Sequence, residues 1–470
     1  MECTPKLESD TENEDQNMKQ IGPTEAPNPT TKRLKGVSPP ETIIQQNFND
    51  MGSKVTLLLC LLSLCKICIS RDISSNEKSR ETVEVKGDSD VVWIVQLSDL
   101  HFSVHHPERA SEFQKLVAPT LSMINPSLVF ITGDLTDGKS KDLLTMKQNE
   151  EEWVEYQNTM ENVIKKSGLD KSIFYDLRGN HDSFGVPTTG GSYDYFSIYS
   201  INGQLGRSQS VNSVTLQTGP QDVLFVSFDS TTSTGLRGPT NLFGHPTDQL
   251  LTDLDSHLSQ YDATSSKPLT KIALGHFPLS FSASTNSKNT LKQIFLNHSI
   301  SAYLCGHLHT RFGPNLKRHH ETNSRNLFQL NIHEKTPSNN CPNKGQKVNE
   351  FWEFEMGDWR KSRSMRIMAI DKGYVSFMDI NLKKGPKEVL ILPTYPLDSR
   401  YLSTTIMNEY KCQSIHDTSH IKSLVFSSNS IKKVTAKIHD SSRGDLYTVL
   451  ETPMTKNGDV YSVHGIQNLS

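Results

Sequence analysis

Residues 173–182 have the sequence IFYDLRGNHD, in which a short apolar run is followed by a glycine, an amide, an imidazole and a carboxylate. The apolar half predicts a buried β-strand, and the polar half predicts a loop at its carboxyl end. In α/β sheets, ligands gather outside the carboxyl ends of strands. Four further strand-like runs end in comparable polar groups, so five loops are expected to meet at one edge of the fold: Asp99-Leu100-His101, Gly133-Asp134, Gly275-His276 and Gly306-His307-Leu308-His309.

Strand-like and helix-like segments alternate over the first two thirds of the chain, which favours a layered α/β domain. The predicted strands are 91–97, 127–132, 173–177, 222–228, 271–274 and 301–305. The predicted helices are 110–124, 151–166, 247–259 and 291–297. After about residue 365 the segments become short strands separated by turn residues, which predicts a small all-β module at the C-terminal end.

The composition is that of a globular protein with no marked charge excess. The 470 residues, 34% of them hydrophobic, are enough for one large domain and a smaller one. Lys and Arg number 49 against 52 Asp and Glu, so no basic excess indicates a nucleic-acid surface, and a nuclease is disfavoured. The seven cysteines do not form a small-domain disulfide framework, and a Cys341–Cys412 pair stays open.

The residue types at the five strand ends suit divalent metals. Asp and Asn oxygens with His nitrogens bind Mn, Fe or Zn, and the lack of sulfur ligands argues against a structural zinc site. Two metals that share one carboxylate lie about 3.5–4 Å apart and can hydrolyse phosphate esters. A single Gly-Asp or a single His after a strand is more often structural, so the interpretation depends on all five fragments together.

The fragments resemble the calcineurin-like metallophosphoesterases, whose motifs run Asp-x-His, Gly-Asp, Gly-Asn-His-Asp, Gly-His and Gly-His-x-His, over about residues 90–315. The resemblance implies that His181 lies beside the scissile ester and assists the leaving group, and that Asp182 orients His181. It also implies two divalent ions, a phosphate-ester substrate and seven metal ligands. These are Asp99, His101 and His309 on one metal, Asn180, His276 and His307 on the other, and Asp134 between them.

Residues 351–359 (FWEFEMGDW) and 366–371 (RIMAID) resemble a eukaryotic branch named for transmembrane protein sixty-two, including its plant members. In that branch an Ig-like β domain follows the phosphoesterase domain, and a multi-pass membrane region follows both. The resemblance implies a metallophosphoesterase β-sandwich flanked by helices over residues 90–395 and an Ig-like domain over 396–470. Since the chain stops at Ser470, it predicts a truncated or alternative product, or a member that is soluble in the lumen.

The N-terminal region carries targeting features. Residues 1–50 are polar and predicted to be disordered, and residues 71–89 are predicted to be a linker. Residues 51–70 predict a secretory signal peptide if translation starts at Met51, or a signal anchor if it starts at Met1. The sequence after Met51 also fits N-myristoylation. The favoured prediction is the secretory pathway, with membrane association through the apolar segment left open, and sequons at Asn297 and Asn468.

The predicted function is hydrolysis of phosphate mono- or diesters by a hydroxide that bridges two metals, with His181 assisting at the leaving group. The competing interpretation is a non-catalytic interaction protein of the secretory pathway or membrane, which keeps the metal site for structure. The substrate, the metal and the oligomeric state are not determined by the sequence.

Overall fold

The computed structural model describes residues 80–85, 91–142, 144–219, 221–238, 240–265, 267–309, 316–321, 349–398, 401, 420–440, 447–458 and 460–464. All of them belong to one compact unit, Ile69–Ser470. The predictions made for 1–50, for 51–70, for Cys341 and Cys412, and for Asn468 lie outside these residues. Among the helices of the described residues, none combines the length and the apolarity that crossing a bilayer requires.

Long strands supply most of the secondary structure. The strands are β1 Arg80–Glu84, β2 Val91–Leu97, β3 Leu128–Ile131, β4 Phe174–Asp176, β5 Val211–Gln217, β6 Asp222–Phe228, β7 Leu269–Leu274, β8 Ala302–Cys305, β9 Leu316–His320, β10 Glu350–Glu355, β11 Ser364–Asp371, β12 Tyr374–Asn381, β13 Val389–Tyr395, β14 His420–Ser427, β15 Thr435–Asp440, β16 Tyr447–Pro453, β17 Thr455–Asn457 and β18 Val460–His464. The α-helices are α1 Glu108–Ile124, α2 Glu150–Ser167, α3 Phe196–Tyr199, α4 Ile201–Gln204, α5 Asp248–Thr264, α6 Leu291–Asn297 and α7 Trp359–Ser362.

Two sheets form the larger domain. The seven-stranded sheet has the order β1-β5-β6-β7-β8-β10-β9, and the five-stranded sheet has the order β12-β11-β2-β3-β4. Strands β2, β3 and β4 run parallel to one another, as do β6, β7 and β8. Parallel strands end at the same edge of their sheet, so the loops after β2, β3, β4, β7 and β8 leave on the side where the polar motifs lie.

Apolar side chains fill the space between the two sheets. Ile94 and Phe130 of one sheet and Phe225 and Ile272 of the other belong to a single buried cluster. A second cluster joins α1 and α2 to the outer face of the five-stranded sheet, and a third joins α5 and α6 to the seven-stranded sheet. Strands covered on both faces explain the continuous apolar runs. The predicted layered sandwich flanked by helices is confirmed.

The C-terminal module is all-β, with a sheet of order β13-β14-β18-β17 and a separate β15–β16 pair. Strand β13 pairs with β14, with Leu390 opposite Phe426. Since β13 begins at Val389, the module starts before residue 396, where the sequence analysis set its boundary. The predicted all-β nature of this module is confirmed.

The predicted linker over residues 71–89 is wrong for Arg80–Glu84. These residues form β1, which pairs in parallel with β5 at the edge of the seven-stranded sheet. Residues 80–82 are polar, whereas Val83 and Val85, on either side of Glu84, pack against the core between the sheets. An edge strand with one polar face resembles a linker in composition.

Candidate metal centre

The five loops predicted from the sequence do meet. Asp99 and His101 follow β2, Asp134 follows β3, Asn180 follows β4, His276 follows β7, and His307 and His309 follow β8. Their side chains form two adjoining groups that share Asp134. In each group the ligand atoms of the carboxylates and imidazoles lie within 4.8 Å of one another: Asp99, His101, Asp134 and His309 in one, and Asp134, His276 and His307 in the other.

The first group is built around two imidazole nitrogens that face each other. His101 Nε2 lies 3.0 Å from His309 Nε2. Asp99 Oδ1 lies 3.1 Å from that His309 nitrogen, and Asp134 Oδ2 lies 3.5 Å from His101 Nε2. Asp99, His101 and Asp134 are buried, and His309 is partly exposed. Four ligand atoms therefore surround one small volume close to the protein surface.

The second group adds the amide oxygen of Asn180. Its Oδ1 lies 3.1 Å from His276 Nε2 and 3.0 Å from His307 Nδ1. The two imidazole nitrogens lie 3.2 Å apart, and Asp134 Oδ1 lies 3.3 Å from His276 Nε2. One oxygen of Asp134 therefore faces each group.

This donor set fits two divalent metals. Imidazole nitrogens and carboxylate or amide oxygens are ligands for first-row divalent ions, and the two oxygens of one carboxylate can serve two ions. The ring nitrogens of each facing pair lie within 3.2 Å of each other, and a cation held between them would accept both lone pairs.

The backbone at the site is held in an unusual conformation. Asp99, His101, Asp134, His307 and His309 have φ values of 54°, 49°, 53°, 82° and 60°. Such left-handed conformations cost about 1–3 kcal/mol each in residues other than glycine, and they persist where the surrounding structure imposes them. The surrounding structure therefore holds these five residues in strained backbone conformations, in which their side chains point into the site.

Contacts behind the ligands fix the ring orientations. His276 Nδ1 donates to the Thr132 carbonyl over 2.8 Å, which leaves Nε2 as the nitrogen that faces Asn180 and Asp134. His101 Nδ1 lies 3.3 Å from Asp137 Oδ1, which leaves its Nε2 on the metal side. A carboxylate or carbonyl on the far nitrogen is the usual support of a metal-binding histidine.

His181 is buried against the first group. Its Nδ1 donates to the Asp137 carbonyl over 2.6 Å, and its Nε2 lies 3.9 Å from Asp134 Oδ2. Burial, opposed by the charge of Asp134, holds the pKa of His181 well below its usual value. The ring therefore presents Nε2 toward the metal ligands, and the Asp137 carbonyl is what orients it.

The structure gives Asp182 partners other than the His181 ring that the resemblance implied. Its carboxylate accepts the N–H groups of Gly179 at 2.8 Å, Leu135 at 2.9 Å and Thr136 at 3.0 Å. These backbone donors come from two loops, so Asp182 joins the loop that carries Asp134 to the loop that carries Asn180 and His181.

Asp137 is a site residue that the sequence analysis missed. Besides its contacts to His101 and His181, it accepts from Arg109 Nη1 over 3.0 Å. Burial alone would raise the pKa of Asp137, but the hydrogen bond and charge of His101 lower it below the ordinary range. Asp137 lies only three residues after Asp134 in the same loop, and this proximity could have indicated that it belongs to the site.

The end of β10 and the segment after it support the site from outside the motifs. Glu355 accepts the Leu308 N–H over 3.0 Å, between His307 and His309 of that loop. The Arg360 N–H donates to the Asp99 carbonyl over 3.1 Å, and the Trp359 indole donates to the Arg109 carbonyl over 2.9 Å. Glu355, Trp359 and Arg360 are far in sequence from the loops that they contact. No local sequence pattern therefore indicated that they support the site.

The charges of the site keep the carboxylate of Asp134, which the two groups share, ionised. Burial alone would raise the pKa of Asp134, but the charge of His276 and its hydrogen bond to Asp134 hold that pKa well below its ordinary value. Burial would lower the pKa of His276, but the charge of Asp134 raises it to about 9. Asp134 is therefore available as an anionic ligand across the physiological range of pH.

Comparison with known proteins agrees with this geometry. Residues 92–311 match the calcineurin-like phosphoesterase family, and residues 385–464 match the TMEM62 Ig-like domain. The chain therefore carries a calcineurin-like phosphoesterase domain followed by an Ig-like domain of the TMEM62 type, and the resemblance drawn from the motifs is confirmed.

Two curated proteins match most of the length of this chain. The chain is 56% identical over 422 residues to an Arabidopsis thaliana protein named "Putative metallophosphoesterase", a match that covers 87% of this chain and 56% of the relative. It is 30% identical over 356 residues to Transmembrane protein 62 of Mus musculus, covering 74% of this chain and 47% of that protein. The chain thus spans about half the length of these curated relatives.

One solved structure is much more distant. The sulfate thiohydrolase SoxB of Thermus thermophilus, in complex with glycerol, has a TM-score of 0.29 and 10% identity. The match covers 64% of this chain and 58% of that chain, and a likeness this low bears on neither fold nor function.

Proposed function

We propose that this chain hydrolyses phosphate mono- or diesters with two divalent metals. The observation that carries the proposal is the position of Asp134, whose two carboxylate oxygens face two separate groups of metal-ligating side chains. Membership of residues 92–311 in the calcineurin-like phosphoesterase family supports the same reaction class.

The proposed ligands divide as the two groups do. Asp99, His101 and His309 would hold one metal, Asn180, His276 and His307 would hold the other, and Asp134 would bridge them. The ligand types suit Mn, Fe or Zn. When bound, the two cations supply charge neutralisation at the phosphoryl oxygens and an acidified water as nucleophile.

His181 is the proposed catalytic residue at the leaving group. With Nδ1 fixed on the Asp137 carbonyl, Nε2 is the ring atom left to act at the departing oxygen, to which it gives a proton only when the imidazole carries both of its protons. Asp182 is proposed as a positioning residue, because its three backbone contacts keep the loops of His181 and Asp134 in register.

Turnover of chromogenic phosphate mono- and diesters in the presence of Mn²⁺ tests the proposal. Asp134→Asn should lower kcat by about a thousandfold or more, because the bridging charge is lost. Asp142→Asn, in an exposed loop, is the matched control and should keep wild-type rates. Equal rates in wild type and Asp134→Asn would contradict the proposal and favour the interaction protein.

We also propose that the protein acts in the secretory pathway or at a membrane. The name of the Mus musculus relative and the apolar segment 51–70 support this location. Asn297 is exposed at the end of α6 and carries a sequon, so it is open to glycosylation. A glycosidase-sensitive mass that disappears in Asn297→Gln is expected, and an unmodified Asn297 in cells would contradict this location.

A further inference from the structure

Two phenylalanine rings form an apolar wall beside the second ligand group. Phe281 lies in the loop after β7, and the centre of its ring is 5.4 Å from the centre of the His307 ring. Phe243 lies in the loop between β6 and α5 and is stacked on Phe281, with the ring centres 5.4 Å apart and the planes at 16° to each other. A single ring therefore separates Phe243 from a proposed metal ligand.

The outer part of this wall is exposed to solvent although it is apolar. Phe243 is 46% exposed, and Leu236 and Leu242 of the same loop are 42% and 41% exposed. Phe281, which is closer to the metal ligands, is partly buried. Single exposed apolar side chains are ordinary, whereas several of them at the rim of a polar site are typical of a surface that binds a ligand.

Hydrogen bonds hold the loop that carries Phe243 against the metal centre. The Gly244 N–H donates to the Phe281 carbonyl over 2.8 Å, which joins the two loops of the wall. The side-chain amide of Asn241, which is buried, donates to the Asn180 carbonyl over 3.1 Å. Because these contacts fix the loop, the wall is formed before a ligand arrives, and binding to it costs little conformational freedom.

We propose that Phe243 and Phe281 form an apolar subsite that binds an aromatic group joined to the phosphate of the substrate. The proposal rests on the proposed function, which places the phosphoryl group among the metal ligands. A substituent on that phosphoryl group reaches the wall directly, because Phe281 contacts the His307 ring. The substrate class is thus a phosphate ester with an aromatic substituent.

Stacking on the wall selects among phosphate esters. An aromatic substituent that packs on the exposed part of Phe243 removes apolar surface of both partners from water, and offset aromatic pairs attract each other beyond that burial. Together these effects favour binding by about tenfold. The phenylalanine rings offer no hydrogen bond to hydroxyl groups, so a sugar phosphate gains little from the same surface.

Two esters of primary alcohols test the subsite, benzyl phosphate and ethyl phosphate, each used also as its methyl diester. The measured quantity is the ratio of their kcat/KM values, with the benzyl ester in the numerator. Phe243→Ala should lower this ratio about tenfold, and Phe243→Tyr, which keeps the ring, should retain the wild-type ratio. Ile198→Ala, at an apolar side chain that is 59% exposed on α3, is the matched control and should also keep it. A wild-type ratio in Phe243→Ala would overturn the subsite.

Binding of phenylphosphonate and methylphosphonate to the Mn²⁺-loaded chain, followed by calorimetry, gives a readout that needs no turnover, since neither compound has an ester bond. Wild type and Ile198→Ala should bind phenylphosphonate about tenfold more tightly, and Phe243→Ala should bind the two compounds equally. If wild type cleaves neither ester but shows this preference, and Phe243→Ala loses it, the proposed function fails and the apolar subsite stands. If wild type cleaves the esters but binds both phosphonates equally, the subsite is absent.

Discussion

Asp134 organises the site at the level of single residues. It is almost fully buried, it contacts both ligand groups, and its Oδ1 also accepts the His181 N–H over 2.9 Å. One side chain thus fixes the spacing of the two groups and the start of the loop that carries the proposed acid. A buried anion is stable only while the hydrogen-bond donors and imidazoles that contact it stay in place.

Glu152 gives a prediction about pH at the same scale. Burial raises the pKa of Glu152 from its ordinary 4.5 to about 7, although the N–H groups of Gly138 and Val104 bond to its carboxylate. A folded-state pKa above the unfolded one favours the protonated form. The contribution of Glu152 to the free energy of unfolding is therefore fully present below pH 4.5. It decreases by about 3 kcal/mol as the pH rises to about 7.

The measurement is the free energy of unfolding of metal-free protein between pH 4.5 and 8. Glu152→Gln removes the titration, so the wild type should lose about 3 kcal/mol more than this variant over that range. Glu161→Gln, exposed on the same helix, should follow the wild-type profile. Parallel profiles for wild type and Glu152→Gln would contradict the assigned pKa.

At the level of elements, the loops of the site approach one another so closely that there is no room for an added side chain at the contact. A Cβ placed on Gly306 would collide with the Ser98 and Asp99 side chains, which are themselves hydrogen-bonded over 2.6 Å. The loop after β8 therefore reaches the loop after β2 only because residue 306 has no side chain.

Gly306→Ala should displace that loop and its histidine ligands. The expected result is a loss of about 1–3 kcal/mol in unfolding free energy, with metal affinity lowered at least about tenfold. Thermal unfolding and metal titration measure both effects. Gly219→Ala, where a Cβ would meet no atom within 4 Å, is the matched control. Wild-type metal affinity in Gly306→Ala would contradict the close approach.

The sequence predicted the strands that lead into the site because they are apolar runs, as Val91–Leu97 and Leu128–Ile131 show. It also predicted which loops would meet, because each motif directly follows such a run. It missed β1, whose polar face resembles a linker, and it missed Glu355 and Arg360, whose roles depend on pairing across the fold. Long-range pairing leaves no local periodicity to detect.

At the level of the whole molecule, the Ig-like and phosphoesterase domains share a core. Phe426 of β14 lies 5.8 Å from the Trp93 ring, centre to centre, and belongs to the apolar cluster that also contains α1. Lys422 Nζ lies 2.9 Å from Asp371 Oδ1, which joins β14 to β11 by an ion pair. Continuous apolar packing predicts that the two domains unfold together.

Phe426→Ala should lower the free energy of unfolding by about 3 kcal/mol, because it opens a cavity between β14 and β2. Calorimetry should show one transition in the wild type and one transition at lower temperature in the variant. Val449→Ala, on the partly exposed β16, should leave the transition unchanged. Two separate transitions, with only one shifted by Phe426→Ala, would contradict a shared core.

The most direct test of the account as a whole is the number of metal ions per chain, measured by elemental analysis of purified protein. Two divalent ions per wild-type chain are expected, with two retained in Asp142→Asn and no more than one in Asp134→Asn. A wild-type chain that takes up no ions from Mn, Fe or Zn, or an Asp134→Asn chain that holds as many as wild type, would contradict the paired centre.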